Sequence, residues 1–206
     1  MKSQKQTFFK SSFGKLGVFL RGFIFSMLII SLFSSFKAPK NSPVAINGKL
    51  QVVGTQLSNQ KGEALMLRGA SFGWHNLWPR FYNQKAVAWL ATDWKCNVVR
   101  ASMGVGLDDS YLENPEYALK CVTNVVDGAI KQGIYVLIDF HSHKLHTAEA
   151  KTFFTQMAQK YKNIPNVIYE IWNEPDYYTW PEVKAYSEEL IKTIDRKSTR
   201  LNSSHR

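Results

Sequence analysis

The chain has 206 residues, 26 Lys+Arg against 16 Asp+Glu, a formal charge of +10, and 45% hydrophobic and 14% aromatic residues. Such an apolar content excludes wholesale disorder, two cysteines exclude a disulfide scaffold or a cysteine-rich zinc module, and the lack of a fixed repeat excludes solenoids and coiled coils. A basic chain suggests nucleic acid, yet seven basic residues and no acid lie in 1–40, four lie in 195–206 against Asp195 alone, and the 15 basic and 15 acidic residues of 41–194 balance.

Residues 1–36 read as a targeting segment. Lys2, Lys5, Lys10, Lys15 and Arg21 precede an apolar run over 23–33, the layout of a signal peptide. The run is short for a membrane-spanning helix, which needs roughly 20 residues. An uncleaved anchor with its basic end in the cytoplasm is the alternative. The expected location is therefore secreted or periplasmic, or membrane-anchored through this segment alone. Residues 37–48 read as a linker. Residues 50–53 and 56–58 are short strands, and the turn Asn59-Gln60-Lys61-Gly62 is answered by 64–67 as a hairpin.

Beyond the aromatic stretch 72–82 the chain alternates. A helix is expected over 85–94, with Trp89 and Trp94 assigned to the core, and a buried strand over 97–101. Asn114-Pro115-Glu116 opens a helix with proline at its favoured first position, and Gly133 stops it. A strand follows over 134–140, then a helix from Thr147 with Phe153, Phe154, Met157 and Ala158 inward. A further strand spans 166–172, and Trp180-Pro181-Glu182 opens the last helix. Four strand–helix repeats with strands apolar throughout predict a parallel sheet covered by helices. Chemistry then belongs where strands end.

Three such ends carry it. Glu174 follows a strand beside Asn173 and is held by Pro175, which forbids strand continuation. A carboxyl among Trp172, Tyr177 and Tyr178 is expected to be partly desolvated, which raises its pKa as a general acid requires; a solvated turn glutamate is the alternative. His141 and His143 form a His-x-His pair, but no cysteine or carboxylate stands at matching sequence spacing, so no metal is expected. His141 is read as hydrogen-bonding a substrate or Glu174, His143 and His146 as loop residues. Arg100, a charge ending a buried strand, must be paired: it either pins a catalytic carboxylate or closes a structural ion pair. Trp74, Trp78, Tyr82 and the aromatics near Glu174 lie by the loops, where ring faces stack on sugars or bases. The neutral middle argues against nucleic acid, whose phosphates need Lys and Arg.

The run Val167-Ile168-Tyr169-Glu170-Ile171-Trp172-Asn173-Glu174-Pro175 resembles the strand-four signature of glycoside hydrolase family 5, particularly its bacterial-type endo-β-1,4-glucanases. Residues 50–54 with 67–69, 93–94 with 97–103, 135–143 and 185–191 are similar in order and spacing. The resemblance implies an α/β fold, a (β/α)8 barrel of which 49–194 supply about the first four βα units. It also implies retaining hydrolysis of cellulose or a related β-glucan by a monomer without cofactor or metal. Glu174 matches the acid/base catalyst, Asn173 the residue that binds the sugar 2-hydroxyl, Arg100 the arginine that holds the nucleophilic glutamate, and His141 a substrate-binding histidine. His75 and Trp78 fall near subsite residues on the first loop. Phe140 stands where many relatives carry Trp. The nucleophile of that family ends strand seven, outside this chain, so the 206 residues alone are expected to be inactive. Asp139 is expected to be structural, and Glu170 to face away from the mouth. A mannanase, a mixed-linkage glucanase or a non-catalytic sugar-binding protein are the alternatives. Residues 195–205 resemble the in-frame translation of a sequencing adapter, so 195–206 is expected to be a non-native tail. Cys96 and Cys121 are either buried thiols or, in an exported protein, oxidised.

Overall fold

The computed structural model describes residues 38–198. The expected targeting segment and residues 199–206 of the expected tail lie outside the described residues. The elements are helix α1 (Pro43–Asn47), strands β1 (Gln51–Val53), β2 (Gln56–Ser58) and β3 (Gly69–Trp74), a 3-10 turn (Pro79–Phe81), helix α2 (Gln84–Thr92), strand β4 (Val98–Gly104), helix α3 (Pro115–Gln132), strand β5 (Tyr135–His141), helix α4 (Thr147–Lys160), strand β6 (Val167–Glu170) and helix α5 (Trp180–Ser198). The order β3-β4-β5-β6 forms a parallel sheet, and β1-β2 a separate antiparallel pair. Strand and helix alternate from β3 onward, as a parallel sheet with crossover helices demands.

Side-chain alternation divides the sheet into two faces. Val99, Ala101 and Met103 of β4 stand beside Val136, Ile138 and Phe140 of β5, all fully buried. Helix α3 contributes Ala118, Cys121, Val122, Val125, Val126 and Ala129 to the same core, and α4 adds Phe153, Phe154 and Met157. Phe153 meets Phe154 at 5.0 Å, Tyr111 at 5.6 Å and Phe140 at 5.9 Å between ring centroids, tilted contacts that aromatic pairs favour. Phe140 is thus a core residue. The opposite face carries Arg100, Ser102, Asp139 and Glu170, the last three side by side in register across β4, β5 and β6.

The local signals explain α3 in full. The Asn114 side chain accepts from the Tyr117 amide, Pro115 takes the first turn, and Gly133 adopts a left-handed φ of 69°, a conformation that spares glycine a Cβ clash.

Four expectations differ from the structure. Residues 43–47 of the expected linker form α1, capped by Ser42. Val44 N donates to Gly133 O and Tyr135 Oη to Gly48 O, so this segment is tied to the α3–β5 turn. The expected pairing of 56–58 with 64–67 shrinks to one bridge, Ser58 with Ala64, on the edge of β2 opposite β1, flanked by Asn59 N to Glu63 O and Leu65 N to Leu57 O. Asn59 organises the intervening turn, its Oδ1 accepting from the amides of Lys61 and Glu63. Trp89 and Trp94 are not core: they are 52% and 66% exposed and pack edge-on against each other, while Val87 takes the inward position of α2. Strand β6 stops at Glu170 rather than at 172, and α5 runs on past 194 to Ser198. Cys96 and Cys121 are buried free thiols.

Gly69 marks a close approach of β3 to β4. A Cβ there would lie 1.7 Å from the Val98 carbonyl oxygen. Gly69→Ala is expected to destabilise the protein by about 3 kcal/mol, the upper end of overpacking costs, read as a lower urea midpoint. Gly54→Ala, where nothing lies within 4 Å and only a φ of +61° opposes a side chain, is expected to cost about 1 kcal/mol.

Candidate active site

Arg100 lies at the centre of the polar face. Its Nε and Nη2 donate to the two carboxylate oxygens of Glu170 at 2.8 and 2.5 Å, a bidentate pair. Nη2 also donates to Asn173 Oδ1 at 2.9 Å and lies 2.9 Å from Asp139 Oδ2, and Nη1 reaches Ser102 Oγ at 3.1 Å. Three strands and the loop after β6 therefore meet on one guanidinium. The Glu170 hydrogen bonds hold its pKa above the ordinary arginine range. Asp139 is fully buried, and burial raises its pKa, opposed by the hydrogen bond to His141 and the charge of Arg100.

Asp139 Oδ2 also lies 2.7 Å from His141 Nδ1. A carboxylate only accepts, so Nδ1 carries the proton and the ring orientation is set by its neighbour. Trp74 packs edge-on against His141 at 5.0 Å, and the His143 ring follows at 6.2 Å. His143 Nδ1 lies 3.0 Å from Asp176 Oδ2 and 3.3 Å from Glu174 Oε2. These three side chains are 40%, 45% and 60% exposed, and their ligand atoms fall within 4.8 Å of one another. They are the group among the described residues with metal-ligand spacing; the spacing equally suits two carboxylates sharing one imidazole nitrogen.

The structure thus brings Arg100, Asn173 and His141 together with Asp139 and Glu170, and places Glu174 next along the chain. Two expectations change here. Glu174 was expected among aromatics, but Trp172 turns inward onto Tyr186 and Tyr178, Tyr177 is 92% exposed, and the Glu174 carboxyl is open to solvent. Glu170 was expected to face away and instead clamps Arg100. Residues 170 and 174 differ by four, so alternation would put them on the same face, and the strand ends at 170 in any case.

His75 and Trp78 stand apart from this cluster. His75 is completely buried between Tyr82 and Tyr117. Its Nδ1 accepts from the Gly104 amide at 3.0 Å, fastening the loop after β3 to the end of β4. Burial lowers its pKa to about 4, so it is a neutral structural acceptor. Tyr82 strengthens the same junction by donating to Ser102 O at 2.8 Å. Trp78 packs on Gly73, is 46% exposed, and lines an open groove with Phe81, Ala86, Trp89 and Leu90 beside β3. It follows one outer strand of the sheet, and Glu174 follows the other. No residue pattern marks Asp176. His143 carried one in its His-x-His spacing.

The sequence pattern of the cellulase family (glycosyl hydrolase family 5) matches residues 58–200. The chain belongs to glycosyl hydrolase family 5. Among family relatives, it is 39% identical over 155 residues to Endoglucanase Z of Dickeya dadantii, covering 74% of this chain and 35% of that protein. It is 35% identical over 161 residues to Endoglucanase E-5 of Thermobifida fusca, covering 76% and 34%. A solved Cytophaga hutchinsonii structure superposes with a TM-score of 0.75 at 45% identity, covering 77% of this chain and 53% of that one. The catalytic domain of the Thermobifida fusca endoglucanase gives 0.73 at 34%, with the same coverage. The chain therefore spans about a third of the curated relatives and about half of the solved chains it matches. These family 5 neighbours are (β/α)8 barrels, and β3 to α5 are four of their βα units.

The buried histidine yields a pH prediction. Between its ordinary 6.5 and about 4, the folded state binds fewer protons at His75 than the unfolded state, so stability falls as pH falls through that window. The loss reaches about 3 kcal/mol below it. His75→Asn keeps an acceptor for the Gly104 amide and removes the ionisation. Urea unfolding at pH 7 and pH 4.5 is expected to show a larger loss in wild type than in the variant, by about 2 kcal/mol.

Proposed function

We propose that the full protein carrying this chain is an exported, retaining endo-β-1,4-glucanase acting on cellulose or a related β-glucan, with Glu174 as general acid/base. The observation that carries this is the Asn173–Glu174 pair at the end of β6. Arg100 has only protons to give, so it takes Asn173 Oδ1 and leaves the amide NH2 to donate to a sugar hydroxyl beside the exposed Glu174 carboxyl. His141, fixed by Asp139, offers a further polar edge. Support for the substrate comes from the endoglucanase names of the relatives. A variant of the Thermobifida fusca catalytic domain, 34% identical, was solved with cellotetraose.

In this reading Glu174 protonates the leaving glycosidic oxygen while a second carboxylate attacks the anomeric carbon. Glu174 then takes a proton from the water that releases the glycosyl-enzyme. A polysaccharide bound over the solvent-open Glu174 carboxyl desolvates it, which raises its pKa as a general acid requires. We place the nucleophile on a strand outside this chain. Among the described residues, Glu170 and Asp139 are occupied by Arg100, and Asp176 shares a histidine nitrogen with Glu174 on its own loop.

In the full-length protein, Glu174→Gln is expected to lower kcat on carboxymethyl-cellulose by about a thousandfold, within the range for removing a positioned acid, while cellulose binding persists. Retained turnover would overturn the assignment, and a preference for mannan would change the substrate. The 206-residue chain alone is expected to give no turnover. Export is checked by N-terminal sequencing of the secreted protein, where the mature chain is expected to start after the apolar run 23–33. Recovery only from the cytosol would reject export.

A further inference from the structure

We infer that Glu170 is a positioning residue that acts through Arg100 on Asn173; the inference rests on the glucanase reading of the site. Asn173 lies three residues beyond the last residue of β6, where no ladder hydrogen bonds fix the backbone. Its side chain is tethered by the Arg100 Nη2 contact at 2.9 Å. The direction of that donor depends on how the guanidinium is held. A guanidinium is a rigid plane with donors at fixed angles, and two parallel bonds to one carboxylate fix that plane. Glu170 alone makes such a pair with Arg100, at 2.8 and 2.5 Å.

The other partners do not replace it. Asp139 meets Arg100 through one oxygen, which it also shares with His141. Ser102 takes a single proton at 3.1 Å. With Glu170 neutralised, Arg100 keeps a buried counter-charge in Asp139, so the cluster survives, but the plane is free to turn about that contact. Asn173 then loses its fixed amide orientation while the fold remains. The rival explanation is a purely structural ion pair, which would affect stability without acting through Asn173. Glu170 touches no reacting atom in either account.

A double-mutant cycle in the full-length protein separates the two. Initial rates on cellopentaose are measured for wild type, Glu170→Gln, Asn173→Ala and the double variant, with thermal melting of each. Glu170→Gln is expected to lower kcat about 30-fold with KM changed less than about twofold, the pattern of an interaction used in the transition state. In the Asn173→Ala background the same change is expected to cost less than about threefold, because the group it positions is gone. Equal costs in both backgrounds, or an unchanged kcat, would overturn the inference. If Glu170→Gln does not fold, Glu170→Asp keeps the charge but shortens the reach, and the same cycle applies with the same two outcomes. The glucanase reading fails separately: it falls if turnover survives Glu174→Gln. The positioning role falls alone if Glu174→Gln abolishes turnover while the Glu170 costs are additive.

Discussion

A cation on the inner face of a parallel sheet is the constraint on which the site depends. Burying a guanidinium costs several kcal/mol unless it is paired and hydrogen-bonded on every side. Arg100 meets that demand with partners from β4, β5, β6 and the following loop. The demand works in both directions. Two carboxylates serve one guanidinium, and the more deeply buried, Asp139, takes its hydrogen bond from His141. A requirement of the core thereby sets the tautomer of a histidine at the rim and the amide orientation of Asn173.

The scaffold makes this possible by keeping its two faces chemically separate. On the helix side, Val99, Ala101, Met103, Val136, Ile138 and Phe140 pack against α3 and α4 without a polar side chain among them. The charged row on the other face is drawn from the same strands one residue out of phase. A single-residue slip of β4 against β5 would exchange the rows and bury Arg100 among phenylalanines, so the ion cluster also specifies register. Aromatic packing holds the approach to Glu174: Trp172 wedges between Tyr178 and Tyr186, and the Tyr186 hydroxyl donates to Ile171 O.

Much of this was legible in the residues. Asn114-Pro115 and Gly133 bounded α3 because capping chemistry is local, and uninterrupted apolar strands announced a sheet covered by helices. The resemblance around Asn173-Glu174-Pro175 pointed to the right family. What stayed hidden depended on contacts between distant residues. Glu170 and Arg100 are 70 positions apart, so no spacing rule joins them. Trp89 read as core because it is apolar and helical, and only the direction of Val87 turns it outward. His75 looked like a loop histidine near a subsite, yet it is the acceptor for a backbone amide 29 residues away. The α1 segment was obscured by Lys37, Pro39 and Lys40 just before it, although Ser42 before Pro43 is a helix start in miniature.

Every strand of the main sheet runs the same way, and each neighbour is reached only after a helix has been crossed. Partners such as Gly69 with Val98, Val98 with Tyr135 and Val136 with Val167 are separated by about thirty residues or more. Closing loops of that length costs entropy before any pairing repays it. Helices such as α3, with their caps in place, form from neighbouring residues, whereas the Arg100 clasp must await two such closures, β4 on β5 and β5 on β6. The chemistry of the site is thus assembled late in folding, from pieces whose local structure is already complete.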